Sequence, residues 1–299
     1  MLFRTDIAEE IRDEKMKGYS KDHKGEIDGI AYKQRTVDGI RVTEIKVISP
    51  KGERAIGKPM GTYITVDTSG IWRHSDKGFA ACTEVIARQL SDLIPRADTV
   101  LAVGLGNLQI TADALGPRTA EKIIATRHIK DKTPLLFSSL GLGNVAVLTP
   151  GVLAQTGIDA MAQIKAACRE VKPSVVILVD SLASRSTDAL NKTVQITDTG
   201  ISPGSGVGND RGEISEKTLG VPTVALGVPT IVDAATIIAS AFEDARIPAI
   251  AAAAMERCKG CYVCAKDQDR AVSELGRLIG FALNRFCHRE LSLSEMAYI

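Results

Sequence analysis

Two aspartates that follow short apolar runs are the residues of this chain best suited to acid–base chemistry. The run 99–103 leads through a glycine-rich turn to Asp113, and the run 175–179 leads directly to Asp180. β-Branched runs of this length, followed by a helical pattern, are typical of buried parallel strands. Ligands bind beyond the carboxyl ends of such strands. We therefore predict that both carboxylates face one cleft, where one keeps a proton and the other activates water.

Other interpretations of these residues stay open at this point. An aspartate after a strand also caps the helix that follows it. Two carboxylates together with His128 also suit a divalent metal ion, although the place of His128 at the end of a predicted helix favours a helix C-terminal cation. The sequence contains neither a Gly-x-Ser-x-Gly elbow nor a His-Glu-x-x-His motif, which argues against serine hydrolases and zincins.

Three closely spaced cysteines form the most specific local pattern. Cys258, Cys261 and Cys264 are separated by two residues each, and Cys287 lies further along the chain. Thiols at this spacing hold zinc or part of an iron–sulfur cluster, with Cys287 or His288 as a fourth ligand. Free thiols are the other interpretation, since six cysteines in a reducing compartment need no pairing. We expect no cofactor at the active site and keep a structural zinc or iron–sulfur site at these cysteines as a possibility.

Two glycine-rich segments have spacings that do not support nucleotide binding. Gly104 and Gly106 follow a predicted strand, but Gln109 stands where the dinucleotide fingerprint needs its third glycine. The segment 204–209 lacks the Gly-Lys-Ser/Thr of a P-loop, and is either a plain turn cluster or a mobile loop beside a cleft. We expect the substrate cleft to be lined by residues near the aspartates and in this loop: Asn107, Ser184, Arg185, Gly204, Ser205, Gly206 and Asn209.

The composition is that of an ordinary globular protein. Of the 299 residues, 44% are hydrophobic and 24% are charged, and a net charge of +1 gives no field that would attract nucleic acid or an anionic membrane. The most apolar stretch, 247–255, is too short to span a bilayer, and the N-terminus lacks the apolar core of a signal peptide. A cytoplasmic location is the default expectation.

Hydrophobic periodicity predicts an α/β fold with a mostly parallel or mixed sheet flanked by helices. Residues 1–25 are charged and helix-compatible, and alternating stretches at 40–47 and 63–67 predict antiparallel strands at an edge of the fold. Further along, helices are predicted at 79–94, 113–127, 151–171, 233–246 and 269–287, and strands at 99–103, 144–148, 175–179, 193–197 and 221–228. The residues from Thr230 to Asp233 resemble a capping box. We expect one domain over 1–299, with a β-rich extension (1–77), a catalytic core (78–247) and a cysteine-containing segment (248–299).

Several sequence blocks, in order along the chain, resemble the germination protease of spore-forming bacteria. The match runs from the N-terminus to about residue 245, and the number of ordered blocks makes it specific. It rests on segments 4–8 (RTDIA), 55–59 (AIGKP), 103–107 (VGLGN), 113–117 (DALGP), 126–128 (TRH), 150–152 (PGV), 198–201 (DTGI), 203–209 (PGSGVGN) and 227–234 (GVPTIVDA).

The resemblance implies an endopeptidase that degrades small acid-soluble spore proteins during germination. It also implies a fold similar to that of hydrogenase maturation endopeptidases, a homotetramer in the spore core, and a zymogen that removes its own N-terminal segment near Arg4, Thr5, Asp6 and Ile7. The family's proposed catalytic pair of aspartates falls on Asp113 and Asp180, with no assignment of acid and base. Because the substrates are themselves the DNA binders, no direct contact with nucleic acid is expected.

The chain departs from the family pattern in ways that bear on these expectations. Only residues 1–3 precede the segment 4–8, where the family has a longer prosegment, so zymogen control is either reduced or limited to removal of residues 1–6. The resemblance does not extend to the cysteine-containing segment. Two competing hypotheses remain: a metallopeptidase with Asp113, Asp180 and His128 as ligands, and a non-catalytic relative that acts as a regulator.

Overall fold

A mixed β-sheet forms the centre of the computed structural model, which describes residues 5–17, 27–73, 76–95, 97–202, 212–244 and 255–296. The strands of this described part are β1 Ile30–Val37, β2 Ile40–Val47, β3 Gly61–Asp67, β4 Thr99–Gly104, β5 Asn144–Leu148, β6 Val175–Ser184, β7 Thr193–Thr197, β8 Thr223–Asp233 and β9 Tyr262–Val263. They are hydrogen-bonded in the order β1-β2-β3-β7-β8-β6-β4-β5, and the short β9 pairs with β8.

Helices cover both faces of this sheet. The described helices are α1 Ala8–Lys17, α2 Pro50–Ile56, α3 Asp76–Leu93, α4 Leu115–Ala120, α5 Arg127–Lys132, α6 Pro134–Ser139, α7 Leu153–Thr156, α8 Ala160–Val171, α9 Glu216–Leu219, α10 Ala234–Asp244, α11 Gln268–Cys287 and α12 Leu293–Met296, with 3-10 turns at Ser69–Arg73, Thr111–Asp113 and Thr187–Ala189. The helices α3, α4 and α11 bury Leu90, Leu115 and Leu275 on one face, and α8 buries Ile164 on the other. Within the described residues, no helix has both the length and the apolar character that a bilayer span requires.

The sheet joins an antiparallel half to a parallel half. Strands β1, β2 and β3 form a meander, and β7 pairs antiparallel with both β3 and β8. Strands β8, β6, β4 and β5 run parallel to one another. The predicted α/β class, with a mixed sheet and an antiparallel region at its edge, is confirmed. The carboxyl ends of the parallel strands form one edge, where ligands bind in sheets of this kind.

Alternation along β6 decides where the side chain of Asp180 lies. Ile177 and Val179 belong to the core beneath α3 and α11, whereas Val176 and Leu178 belong to the core beneath α8. Successive side chains of a strand point to opposite faces, so Asp180 continues the series of Val176 and Leu178. Its side chain therefore lies on the α8 face of the sheet.

Two predicted strands are longer in the structure, and this changes the setting of their polar residues. Strand β6 continues beyond Asp180 to Ser184, so Asp180 lies inside a strand and not at its end. Strand β8 continues to Asp233, so the predicted capping box is wrong. Asp233 alone caps α10, because its Oδ1 accepts the backbone N–H of Ala235 at 2.7 Å. The hydroxyl of Thr230 donates instead to the carbonyl of Ala112 at 2.7 Å.

Two predicted helices are broken. The segment expected as one helix over 113–127 contains only a 3-10 turn and α4. The chain that follows α4 is bound by Asn284 of α11, whose side chain accepts the N–H of Ile124 at 2.9 Å and donates to the carbonyl of Lys122 at 2.8 Å. The segment 151–171 splits into α7 and α8 at Gly157, which has a φ of 68°. Tertiary contacts in the first case and a left-handed glycine in the second override the helical pattern.

Candidate active site

Asp180 is held in the buried interior of β6. Only 6% of its surface is exposed, and its Oδ1 accepts the backbone N–H of Ser181 at 2.8 Å. Gly227 lies opposite it on β8, and a Cβ at Gly227 would stand 2.5 Å from the side chain of Leu182. The glycine therefore makes room for the side chain of Leu182, which also lines the cavity described below, while pairing with β8 fixes the position of the Asp180 backbone.

A cavity of about 280 Å³ opens at Asp180. Its walls come from β6, β7 and β8, from the turn between α2 and β3, and from the N-terminal segment. The titratable residues that line it are Asp6, Lys58, Tyr63, Asp180 and Glu213. The hydroxyl of Ser181 also lies here, buried and without a hydrogen-bond partner among the described residues. The cavity thus gathers ionisable groups from four separate parts of the sequence.

Asp113 is held in a different way, by a local turn. It lies in the 3-10 turn after β4, where the N–H of Asn107 donates both to its carbonyl oxygen at 3.0 Å and to its Oδ2 at 2.9 Å. Gly106 makes this approach possible: it has a φ of 115°, and a Cβ there would stand 2.0 Å from the carbonyl oxygen of Asp113. The predicted site residue Asn107 therefore orients Asp113 through its backbone.

Backbone contacts bring the Asp113 turn against β6. The N–H of Leu105 donates to the carbonyl of Val179, the residue before Asp180, at 2.8 Å. A Cβ at Gly116, on the other side of the turn, would stand 2.5 Å from the same carbonyl oxygen. The two segments that carry the aspartates are thus in contact at the carboxyl edge of the sheet, although Asp113 is not among the residues that line the cavity.

The other predicted cleft residues either do not line the cavity or lie outside the described part of the chain. Ser184 is fully buried and its hydroxyl donates to the carbonyl of Ser186 at 2.9 Å. The guanidinium of Arg185 pairs with Glu14 of α1. Neither side chain lines the cavity, because both are engaged by structure around the end of β6. The remaining four, Gly204, Ser205, Gly206 and Asn209, lie outside the described residues.

The N-terminal segment is bound along the end of β6. The N–H of Asp6 donates to the carbonyl of Ala183 and its Oδ2 accepts the N–H of Ala183, both at 2.9 Å. Glu10 accepts the N–H of Arg185 at 2.7 Å, and burial raises the pKa of this carboxyl above its usual value. Thr5, Asp6 and Ile7 of the predicted processing region therefore lie next to the strand that carries Asp180, and Arg4 lies outside the described residues.

Lys58 is a cavity residue that sequence reasoning did not single out. Burial lowers the pKa of its ammonium group, an effect that the nearby carboxylate of Asp6 opposes. Tyr63, on the same wall, has a pKa raised to about 12, mainly by burial. In the sequence, Lys58 stands in the segment 55–59 that carries part of the family resemblance, but nothing in its residue types connected this segment with Asp180.

The predicted metal-ligand sets are not assembled. Among the described residues, no three His, Cys, Asp or Glu side chains are grouped so that they could hold a metal ion, and this covers both Asp113, Asp180 and His128 and the four cysteines. His128 is exposed in the first turn of α5, not at the end of a helix as predicted. Cys261 and Cys264 are exposed, and burial raises the pKa of Cys287 to about 12. A structural metal at the cysteines stays a prediction.

Comparisons with known proteins cover most of the chain. The family model described as germination protease matches residues 6–244, a span that includes both aspartates and every residue of the cavity wall. The chain is 44% identical over 239 residues to the germination protease of Clostridium tetani, which covers 79% of this chain and 72% of that protein. It is 43% identical over 236 residues to the germination protease of Caldanaerobacter subterraneus, covering 78% and 70%.

The chain belongs to the germination protease family. Membership of the germination protease family indicates a peptidase, and confirms the resemblance carried by the sequence blocks. Among solved structures, the chain is similar to the [NiFe] hydrogenase maturation protease HycI of Thermococcus kodakarensis, with 18% identity over 65% of this chain and 98% of that chain. The TM-score of 0.35 is too low for this likeness to bear on the site.

Proposed function

We propose that this germination protease family member is an endopeptidase that hydrolyses small acid-soluble spore proteins during spore germination, with Asp113 and Asp180 as a metal-free acid–base pair. The observation that supports this most directly is the hydrogen bond between Leu105 and Val179, at 2.8 Å, which fastens the Asp113 turn beside Asp180 where a charged cavity opens. The family membership supports the peptidase activity, and the sequence resemblance supports the substrate class.

The chemistry follows from two carboxylates that share one site. They resist ionising together, so one keeps a proton near neutral pH. The ionised member takes a proton from water while the water oxygen attacks the scissile carbonyl carbon. The protonated member donates a hydrogen bond to the carbonyl oxygen, and a proton passes to the leaving amine as the C–N bond breaks. Because the pair titrates as a unit, kcat/KM depends on pH as a bell-shaped curve.

We also propose that the chain is made as a self-processing zymogen. Asp6 and Ala8 line the same cavity as Asp180, so the N-terminal segment occupies space that a substrate needs. Removal of residues up to Asp6 would open the cavity and take a carboxylate away from it. N-terminal sequencing of the purified chain over time tests this: a new N-terminus near Ile7 that is absent in an Asp180→Asn variant is the expected result.

The resemblance also supports a homotetramer located in the spore core, without direct contact with nucleic acid or membrane. The net charge of +1 agrees with a protein that acts on DNA-binding substrates but does not bind DNA itself. Light scattering of the purified chain measures the oligomer, and fluorescence microscopy of a tagged chain in sporulating cells measures its location.

The decisive experiment is digestion of a small acid-soluble spore protein by the purified chain, with and without a chelator, beside Asp113→Asn and Asp180→Asn. Asp159→Asn is the matched control, since Asp159 is exposed and caps α8, and asparagine caps helices equally well. We expect the parent chain and the control to cleave with or without chelator, and both site variants to be inactive. Cleavage that is lost on chelation and restored by zinc would favour the metallopeptidase. Site variants that keep their full effect in cells would favour the non-catalytic regulator.

A further inference from the structure

The position of Lys58 is built by an unusually well-specified turn. Helix α2 ends at Gly57, which has a φ of 64° and donates its N–H to the carbonyl of Glu53 at 2.7 Å. Pro59 follows Lys58, and its carbonyl accepts the hydroxyl of Tyr63 at 2.8 Å. A left-handed glycine on one side and a clamped proline on the other leave the backbone of Lys58 little freedom. The turn therefore presents this lysine to the cavity in a defined way.

Lys58 is the sole cation among the described residues that line the cavity. Four titratable groups share the walls with it: the carboxylates of Asp6, Asp180 and Glu213, and the phenol of Tyr63. Within the described part of the chain, its ammonium group forms neither a hydrogen bond nor an ion pair within 4 Å. A half-buried lysine that makes no hydrogen bond among the described residues, in a cavity with three carboxylates, is not explained by packing or by stabilisation of the fold.

The two aspartates of the proposed pair differ in whether they line the cavity that Lys58 lines. Both accept a backbone N–H, at 2.8 Å for Asp180 and 2.9 Å for Asp113. Asp180 and Lys58 line the same cavity, and Asp113 is not among its lining residues. A nearby cation favours the ionised form of a carboxyl group. The member of the pair that loses its proton first is therefore the one on the cavity wall.

We propose that Lys58 is a positioning residue of this site: its ammonium group holds Asp180 ionised, which makes Asp180 the base that activates water and Asp113 the acid that protonates the leaving amine. This inference rests on the proposed function and assigns the two roles within it. Asp6 is the competing anion, because its carboxylate faces the same ammonium group. Loss of the segment that contains Asp6 leaves Lys58 to act on Asp180 and Glu213.

The pH dependence of kcat/KM separates this role from a structural one. In Lys58→Met the cation is lost, so the pKa of the Asp180 carboxyl rises, and we expect the acidic limb to move up by about one pH unit. In Lys58→Arg the positive charge remains, so we expect both limbs of the profile to stay in place. Lys165→Met, which removes an exposed lysine of α8, is the control and should reproduce the parent profile.

Each outcome of these measurements decides the inference. The inference is overturned if the pH profiles of Lys58→Met and the parent chain superimpose. It is also overturned if Lys58→Met and Lys58→Arg lose kcat/KM equally and neither limb moves, because a lysine with only a structural role would behave in that way. Thermal unfolding of both variants shows whether they fold. Asp180→Asn separates the two proposals: if it still cleaves, both fail, whereas if it is inactive and the Lys58→Met profile is unmoved, only the role of Lys58 fails.

Discussion

The two aspartates of the site are held by different kinds of structure. Asp180 stands in the middle of a parallel strand, between partners that are distant in sequence, and is 6% exposed. Asp113 stands in a 3-10 turn, is half-buried, and is held by Asn107, six residues away. One carboxylate thus depends on the whole sheet and the other on a short loop. We therefore expect substitutions near Asp180 to act mainly on the stability of the fold, and substitutions near Asp113 to act mainly on the position of its carboxylate.

The largest effect is expected from replacing either carboxylate. Asp180→Asn and Asp113→Asn should each lower kcat/KM by about 10²–10⁴-fold, the usual contribution of general acid–base catalysis. They should differ in stability: replacing the buried carboxylate of Asp180 should cost about 1–3 kcal/mol, whereas replacing the half-buried carboxylate of Asp113 should cost less. Steady-state kinetics and urea unfolding measure both quantities. Near-normal turnover in either variant would remove the paired mechanism.

The next effect is expected at Gly106, the residue that lets the turn close on Asp113. Gly106→Ala places a Cβ 2.0 Å from the carbonyl of Asp113, and we expect a loss of about 2 kcal/mol in stability together with at least a tenfold loss of activity. Gly39→Ala is the matched control, since Gly39 also has a positive φ, of 80°, but faces open space in the β1–β2 turn. A control that loses as much activity as Gly106→Ala would show that the turn does not place Asp113 specifically.

A smaller effect is expected from the side chain of Asn107. Its Oδ1 accepts the N–H of Gln109 at 2.9 Å and the Nε2 of Gln155 at 2.7 Å, which ties the Asp113 turn to α7. Asn107→Ala removes both bonds and should lower kcat by about fivefold, the equivalent of about 1 kcal/mol. Ser174→Ala removes a comparable bond, to the carbonyl of Thr99 at 2.9 Å, at the far end of β6. Ser174→Ala should lower the free energy of unfolding and leave kcat unchanged. If Asn107→Ala and Ser174→Ala lower kcat equally, the distinction between the Asp113 loop and the Asp180 strand is contradicted.

The smallest effect concerns pH and is expected far from both aspartates, at His288. Its Nδ1 accepts the N–H of Gly143 at 3.1 Å and its Nε2 donates to the carbonyl of Ile124 at 3.1 Å, so the buried ring is neutral. Burial lowers its pKa below 6.5, so the unfolded chain binds the proton more readily. The contribution of His288 to the free energy of unfolding is therefore fully present above about pH 6.5, and it is lost as the pH falls below that value.

His288→Gln should therefore lower stability at pH 7.5 but flatten its fall between pH 7 and about 5, as measured by urea unfolding. The variant separates acid effects on the fold from acid effects on the aspartate pair. Unfolding curves of the parent chain and the variant that fall in parallel over this interval would show that another group controls the acid sensitivity.

Sequence reasoning predicted the elements whose pattern is decided locally. The alternating strands β2, β3 and β7, the apolar runs of β4 and β6, and the long amphipathic helices α3 and α11 lie where their periodicity placed them. It failed where distant residues intervene: Asn284 breaks the helix predicted after Asp113, and pairing with β8 extends β6 past Asp180. The strand β1 was also missed, because it is mostly exposed and its burial pattern does not alternate.

The amino-acid sequence by itself determined the α/β class and the family, and it supplied the prediction of the two aspartates, because buried strands, glycine turns and ordered motifs are properties of consecutive residues. Only the tertiary structure decided what surrounds those aspartates. Lys58 and Asp6 lie 122 and 174 positions before Asp180, and they reach its cavity because β3 and α1 are held against the sheet through strand pairing and burial. No short-range sequence pattern predicts that these three residues line one cavity, since this depends on the order of the strands in the sheet.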